Sequence, residues 1–234
     1  MMRCQLPLPF VHRPDYAGSA WLTHEGAAEA EAWLAGGDWP GCEWPGGRLA
    51  LWGETGTGKT HLLHRWAAEA RTGLGLPGAW PHAPVVIDEA DRVEDATLLH
   101  ALNAAAEARM PVLLAARLPP GRWRTTLPDL RSRLRAVHAV ELLPGDAVFR
   151  AMLLERLLSE RQITVRPALQ RWMLTRLPRE AGVLREVVAR LDVAALAAGR
   201  SMTQALAAET LADLFDDNFA AADLPPSPEP PCLL

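Results

Sequence analysis

Hydrophobic positions along the chain fall into two regimes. Between residues 48 and 142, short apolar runs alternate with stretches of helical spacing; from Asp146 onward only the helical spacing remains. The runs are Arg48–Trp52 (RLALW), Val85–Ile87 (VVI), Met110–Ala116 (MPVLLAA) and Val137–Leu142. The second and third are free of polar residues, as strands covered on both faces of a parallel sheet are; the first and last are short strands with a charged or polar residue or two. Residues 24–35, 59–71 and 95–109 carry helical patterns between them, and residues 146–160, 167–176, 179–198 and 202–215 carry four more. Strands alternating with helices, then helices alone, predict a P-loop type α/β parallel sheet flanked by helices with a C-terminal all-α domain. The expected divisions are an N-terminal segment 1–20, an α/β domain 21–144, a helical domain 145–216 and a Pro-rich, disordered tail 217–234. Loops rich in Gly, Trp and Pro at 36–47, and in Gly and Pro at 72–84, punctuate the first regime.

The first apolar run leads into Gly53-Glu54-Thr55-Gly56-Thr57-Gly58-Lys59-Thr60, which matches G-x-x-x-x-G-K-[ST] at every fixed position. Gly53, Gly56 and Gly58 let the backbone turn tightly around an anion, and the following helix adds the positive end of its dipole. Lys59 is expected at the β- and γ-phosphates of ADP or ATP, and the Thr60 hydroxyl at Mg²⁺. The bland reading is a chance match in a glycine-rich loop; the strand before it and the amphipathic helix after it argue against that. The second run ends in Asp88-Glu89, an acidic pair at the strand terminus where ligands bind open parallel sheets. Asp88 is expected to hold Mg²⁺, directly or through water, and Glu89 to orient an attacking water. Only 29 positions separate Lys59 from Asp88. A parallel crossover uses a dozen residues or more, so an outer strand of the sheet is expected to be missing or vestigial.

Composition sharpens this picture in one place. Lys59 is the only lysine among 24 basic side chains; the rest are arginine. A compact ammonium survives where the wide guanidinium fork does not serve, among phosphate oxygens. The net charge of −4 and pI near 6.0 argue against non-specific DNA binding. No apolar run approaches the length of a membrane span, and the first residues lack a signal-peptide core. Cys4, Cys42 and Cys232 are scattered without metal-ligand spacing, as expected of reduced thiols in a cytoplasm.

The P-loop, the Asp88-Glu89 strand, the stretch Leu118–Leu134 (LPPGRWRTTLPDLRSRL) and the helical domain together resemble the AAA+ module of DnaA-type replication initiators. Within that family the chain is most similar to the Hda-type regulators that inactivate DnaA. The resemblance covers residues 5–215. Gln5, Leu6, Pro7, Leu8, Pro9 and Phe10 look like the sliding-clamp-binding peptide of these regulators; in physical terms they form a polar anchor and apolar side chains on a chain that proline stiffens for docking. Leu127–Leu134 resembles the segment that bears the family's arginine finger, which falls on Arg133. Leu127, Leu130 and Leu134 have helical spacing and should face the core, leaving Arg131 and Arg135 more exposed. Arg117, Arg122, Arg124 and Arg135 read as a solvated basic face.

The resemblance implies a partner in the DNA-loaded sliding clamp and a second in DnaA, whose ATP hydrolysis Arg133 would promote in trans. It implies no membrane contact and no sequence-specific DNA contact of the chain's own, and leaves self-association open. Two departures from the family pattern matter. Ala115, Ala116 and Arg117 occupy the polar sensor position, and Gly182 aligns with the helical domain's sensor arginine, between Arg179 and Arg185. Weak hydrolysis by the chain alone is the expected result. Trp21 lies close to the expected base pocket. The alternative reading is a truncated initiator or helicase-loader ATPase; the short chain after the last helix and the net acidity disfavour it.

Overall fold

A computed structural model of the chain describes residues 21–36, 43–76, 82–178, 180–198 and 202–215. These group into two compact units, one of residues 21–153 with 180–182, the other of residues 154–178 with 183–215.

The first unit is built on four parallel strands, β1 (Arg48–Trp52), β2 (Val85–Ile87), β3 (Val112–Ala116) and β4 (His138–Glu141), in the order β2-β3-β1-β4. Side chains alternate across a strand, and β1 shows the consequence. Leu49 and Leu51 pack with Leu62, Leu63 and Trp66 of α2 (Lys59–Glu69) and with Leu34 of α1 (Ala28–Ala35). Ala50 points the other way, into a core with Leu98 and Leu102 of α3 (Asp95–Glu107) and Leu130 and Leu134 of α4 (Pro128–Arg135). Helices therefore cover both faces, which explains why β2 and β3 are apolar at every position.

The reduced outer edge is present as expected. Among the described residues, the chain beyond β2 makes one isolated parallel bridge, Leu74 to Val86, supported by Gly75 N donating to Val86 O at 2.8 Å and Thr72 Oγ1 donating to Pro84 O at 2.9 Å. Two differences from the expected bounds have local causes. Strand β3 begins at Val112, because Pro111 has no N–H to give a ladder, although its carbonyl still accepts from Val85 N at 2.9 Å. Leu127 is only partly buried, because it caps α4 while Pro128 occupies the first helical position.

Helix α5 (Ala147–Glu160) leads from the first unit into the second, which continues with α6 (Pro167–Arg176), most of α7 (Ala181–Ala198) and α8 (Gln204–Thr210). The expected helix over 202–215 is shorter. Thr203 caps α8 by accepting from Leu206 N, and a separate 3₁₀ turn, Ala212–Leu214, follows. Ion pairs tie this unit together: Arg161 with Asp192 at 3.1 Å, and Arg190 with both Glu186 and Asp213 at 2.6 Å. Among the described residues no helix is long and apolar enough to cross a membrane.

Candidate phosphate-binding site

The C-terminal edge of the sheet carries the site. β1 ends at Trp52, and residues 53–58 turn back into α2. Gly53 has φ +149, and an added Cβ there would stand 2.4 Å from the carbonyl oxygen of Leu142. Glycine is therefore required where the chain leaves the strand. Gly58 caps α2 with φ +99, and no side chain caps the helix. Its first intrahelical partner is Leu62 N, donating to Gly58 O at 3.0 Å. The N–H groups of the opening turn have no carbonyl within the helix to bind, which leaves them for an anion.

Lys59 folds back on the loop. Its Nζ donates to Gly53 O at 2.8 Å and Glu54 O at 2.6 Å, and stands 3.5 Å from Thr57 Oγ1. Thr57 in turn donates to Glu54 O at 3.0 Å and is buried. Thr55 and Gly56 complete the loop. Burial holds the Lys59 ammonium below its ordinary pKa; the carboxylate of Asp88 opposes this and the guanidinium of Arg117 adds to it.

Thr60 and Asp88, 28 positions apart, meet: Thr60 Oγ1 donates to Asp88 Oδ2 at 2.6 Å. The other carboxylate oxygen of Asp88 accepts from Glu89 N at 2.9 Å. A hydroxyl and a carboxylate converging beside an anion cradle are the hard oxygen donors that Mg²⁺ takes. The residues thus fit both a polyphosphate and its metal ion. Glu89 has a left-handed backbone, φ +47, and its carboxylate accepts from Arg92 Nη1 at 2.9 Å on the exposed side of a 3₁₀ turn.

Trp21 stands against the loop from the other side. An added Cβ on Gly58 would meet its ring at 2.8 Å, and its indole N–H donates to Glu31 at 3.0 Å. The ring packs edge-on to His61, with centroids 5.3 Å apart. Beside it His24 is buried and packs at a tilt against Phe149, with ring centroids 4.3 Å apart. Gly182 belongs to the same compact unit as the loop, and an added Cβ there would lie 3.8 Å from Gly56 Cα.

Arg133 lies elsewhere. It pairs with Asp129 at 3.5 Å on α4, and its charge, after burial, holds the Arg48 guanidinium below its ordinary pKa. Arg48 opens β1, whereas the P-loop follows Trp52, four residues on. At about 3.3 Å per residue, these two ends of β1 are ~13 Å apart. Arg131 and Arg135 are exposed, as their spacing predicts, and Arg131 Nη2 donates to Thr125 O at 2.7 Å. The loop before α4 is pinned to α3: Asp95 Oδ2 accepts from Thr125 Oγ1 at 2.7 Å and Thr126 N at 3.0 Å. Gln5, Leu6, Leu8, Pro9 and Phe10, and Arg179, lie outside the described residues; Arg185 is exposed on α7.

Sequence reasoning did not single out His24 or Phe149; it read Arg117 as part of a solvated face and set it, with Ala115 and Ala116, at the family's sensor position. Nothing in the local sequence marks the first two. Arg117 has a signal only in its position one residue past a buried strand.

No protein-family model and no curated protein matches the chain. Solved structures do. Domain III of the Thermotoga maritima replication initiation protein DnaA has a TM-score of 0.71 at 16% identity, over 87% of this chain and 98% of that one. The Thermotoga maritima RuvB Holliday junction branch migration motor has 0.61 at 18%, over 81% and 68%. AMPPCP-bound DnaA from Aquifex aeolicus has 0.60 at 18%, over 76% and 65%. At such identities the likeness speaks to the fold alone: a parallel α/β sheet flanked by helices, followed by C-terminal helices, similar to that of DnaA domain III and RuvB.

Proposed function

We propose that the chain binds ADP or ATP with Mg²⁺ at Gly53–Thr60 and Asp88, and that it serves as a regulator of replication initiation of the Hda type. The observation that carries the nucleotide reading is the 2.6 Å contact of Thr60 with Asp88 beside a loop whose only lysine rests on its own carbonyls. Lys59 exchanges those carbonyls for phosphate oxygens, and the opening N–H groups of α2 receive a second phosphate. Thr60 and Asp88 would hold Mg²⁺, which would supply charge neutralisation to the bound phosphates. Glu89 orients water once it leaves Arg92. With Ala116 and Gly182 where the family carries sensor residues, hydrolysis by the chain alone is weak.

The regulatory reading rests on two supports. The resemblance over Gln5–Phe10 and Leu127–Leu134 names the sliding clamp and the DnaA initiator as partners. Arg133, in turn, sits by the start of β1, an entire strand away from the phosphate loop of its own chain. A cation so far from its own site is suited to a site on another AAA+ subunit, where it stabilises charge in phosphoryl transfer. Tethering to the clamp raises the local concentration of that encounter. Initiator bound to ATP is thereby driven to its inactive, hydrolysed form.

The test is ATP hydrolysis by the cognate initiator, with clamp loaded on DNA, on adding this protein or its Arg133→Ala form. Stimulation by the wild type that disappears with Arg133→Ala, while clamp binding persists, is the expected result. Clamp binding without stimulation by the wild type overturns the mechanism.

A further inference from the structure

The pleat of β1 brings a second guanidinium under Arg133. Leu49 and Leu51 face α1 and α2, Ala50 faces α3 and α4, and Arg48 shares the side of Ala50. The register agrees. Arg48 stands opposite Val112, which is buried in the same core as Leu130 and Leu134 of α4. Arg133 immediately precedes Leu134 on that helix. Arg48 and Arg133 are therefore neighbours between the start of β1 and α4, close enough for the charge of one to act on the other.

Neither is neutralised as an inward arginine ordinarily is. Arg48 is half-buried and makes no hydrogen bond or ion pair among the described residues. No carboxylate opposes the lowering of its pKa by burial and by Arg133. Arg133 is little better served. Its Nε is buried without a hydrogen bond, and its ion-pair partner Asp129 is exposed and 3.5 Å away. A loose pair of that kind holds a guanidinium weakly. An arginine with a firm acidic partner on its own chain has to leave that partner before it serves another. Arg133 has none to leave, and the like charge of Arg48 repels it from the sheet.

We propose that Arg48 is a positioning residue for Arg133: its charge keeps the Arg133 guanidinium off its own chain and turned outward, ready for the site of the other subunit. This rests on the regulatory reading above. Arg48 itself touches no phosphate; it acts through Arg133. Two like charges in contact with a low-dielectric core disfavour the fold, so the arrangement trades stability for an available cation. A neutral side chain at position 48 lets Arg133 settle over the start of β1, and an acidic one holds it there.

The experiment is ATP hydrolysis by the cognate initiator, with clamp loaded on DNA, over a range of concentrations of the full chain. Wild type, Arg48→Glu, Arg48→Met, Arg48→Lys and Arg133→Ala are compared, and urea denaturation of the same proteins and of the Arg48→Glu, Arg133→Ala double variant gives their stabilities. Arg48→Glu is expected to lower the maximal stimulation by about fivefold, as an ion pair that captures Arg133 does, with the half-stimulating concentration unchanged. Arg48→Met lowers it by about twofold, and Arg48→Lys keeps it. Arg48→Glu also raises stability, and raises it less when Arg133 is absent. A residue of merely structural importance gives the opposite sign, with activity and stability falling together. Arg48→Glu that stimulates as wild type does, Arg48→Lys that loses as much as Arg48→Glu, or a stability cycle without coupling overturns the proposal; should Arg48→Glu not fold, Arg48→Met carries the same test. Each of these results leaves Arg133 in its role, because wild type still stimulates and Arg133→Ala does not. Wild type that fails to stimulate overturns the regulatory reading, and the role of Arg48 with it.

Discussion

Gly53→Ala is the sharpest test of how the phosphate loop is fixed. At φ +149 an L side chain is strained, at about 1–3 kcal/mol. The new methyl would also meet the Leu142 carbonyl oxygen at 2.4 Å, with the Leu142 carbonyl carbon and amide nitrogen at 3.4 and 3.5 Å. That neighbour is backbone, and Leu142 N donates to Trp52 O at 2.7 Å, so relief requires moving the end of β4 away from β1. Forced displacement of packed backbone costs about another 1–3 kcal/mol. Stiffening of the unfolded chain returns about 0.4–1 kcal/mol. The net loss is about 3 kcal/mol, or roughly 6–12 °C in Tm for a chain of this size. Gly46→Ala is the control. Its φ is +61 and nothing lies within 4 Å of the added Cβ. It carries the left-handed cost of about 1–2 kcal/mol and the same return, so its net loss is about 1 kcal/mol. Urea denaturation followed by tryptophan fluorescence measures both variants. Losses equal to within about half a kcal/mol would refute the claim that the Leu142 carbonyl, and not φ alone, holds the loop entry in place.

Two further outcomes follow from side chains that anchor the first unit. Asp95→Ala removes the acceptor of Thr125 Oγ1 and Thr126 N, so amide exchange at Thr126 and Leu127 is expected to accelerate while α2 keeps its protection; unchanged exchange before α4 counts against the anchor. Burial holds His24 below its ordinary pKa of 6.5, against the raising pull of Glu31 and Asp146. The unfolded chain therefore takes up this proton at a higher pH than the folded one. The contribution of neutral His24 is complete above about pH 6.5 and is lost as pH falls through the lowered folded value. His24→Phe, which keeps a ring on Phe149, should flatten the fall in Tm between pH 7.5 and 5, and parallel curves for the two proteins would contradict this assignment.

The strands, the P-loop and the acidic pair were legible because each is a local pattern: a buried run, a spacing of glycines, a charge at a strand end. The bounds of α6 were legible too, since Pro167 opens it and Leu177 leaves it in extended conformation. Helix α4 was harder to delimit, because four of its eight residues are charged and only Leu130 and Leu134 face the core. What stayed out of reach depends on order in space. That β3 runs between β1 and β2, so that Arg117 follows a strand flanked by both halves of the site, comes only from the order β2-β3-β1-β4. His24 meets Phe149 across 125 positions, a contact that no local pattern carries. The left-handed backbone at Glu89 is likewise invisible in a residue type that seldom adopts it.

The isolated bridge from Leu74 to Val86 has a consequence for how this chain tolerates change in length. The phosphate site is built from the loop after β1, the start of α2 and the end of β2, and among the described residues the margin outside β2 adds no side chain to it. Across this connection the Thr72 hydroxyl donates to the Pro84 carbonyl. Doubling the length of such a connection costs only about 0.6 kcal/mol of closure entropy. A shortened edge also offers little free ladder to another chain. Evolution can therefore add or delete residues there almost freely, and the length of this connection becomes the part of the chain least able to report kinship.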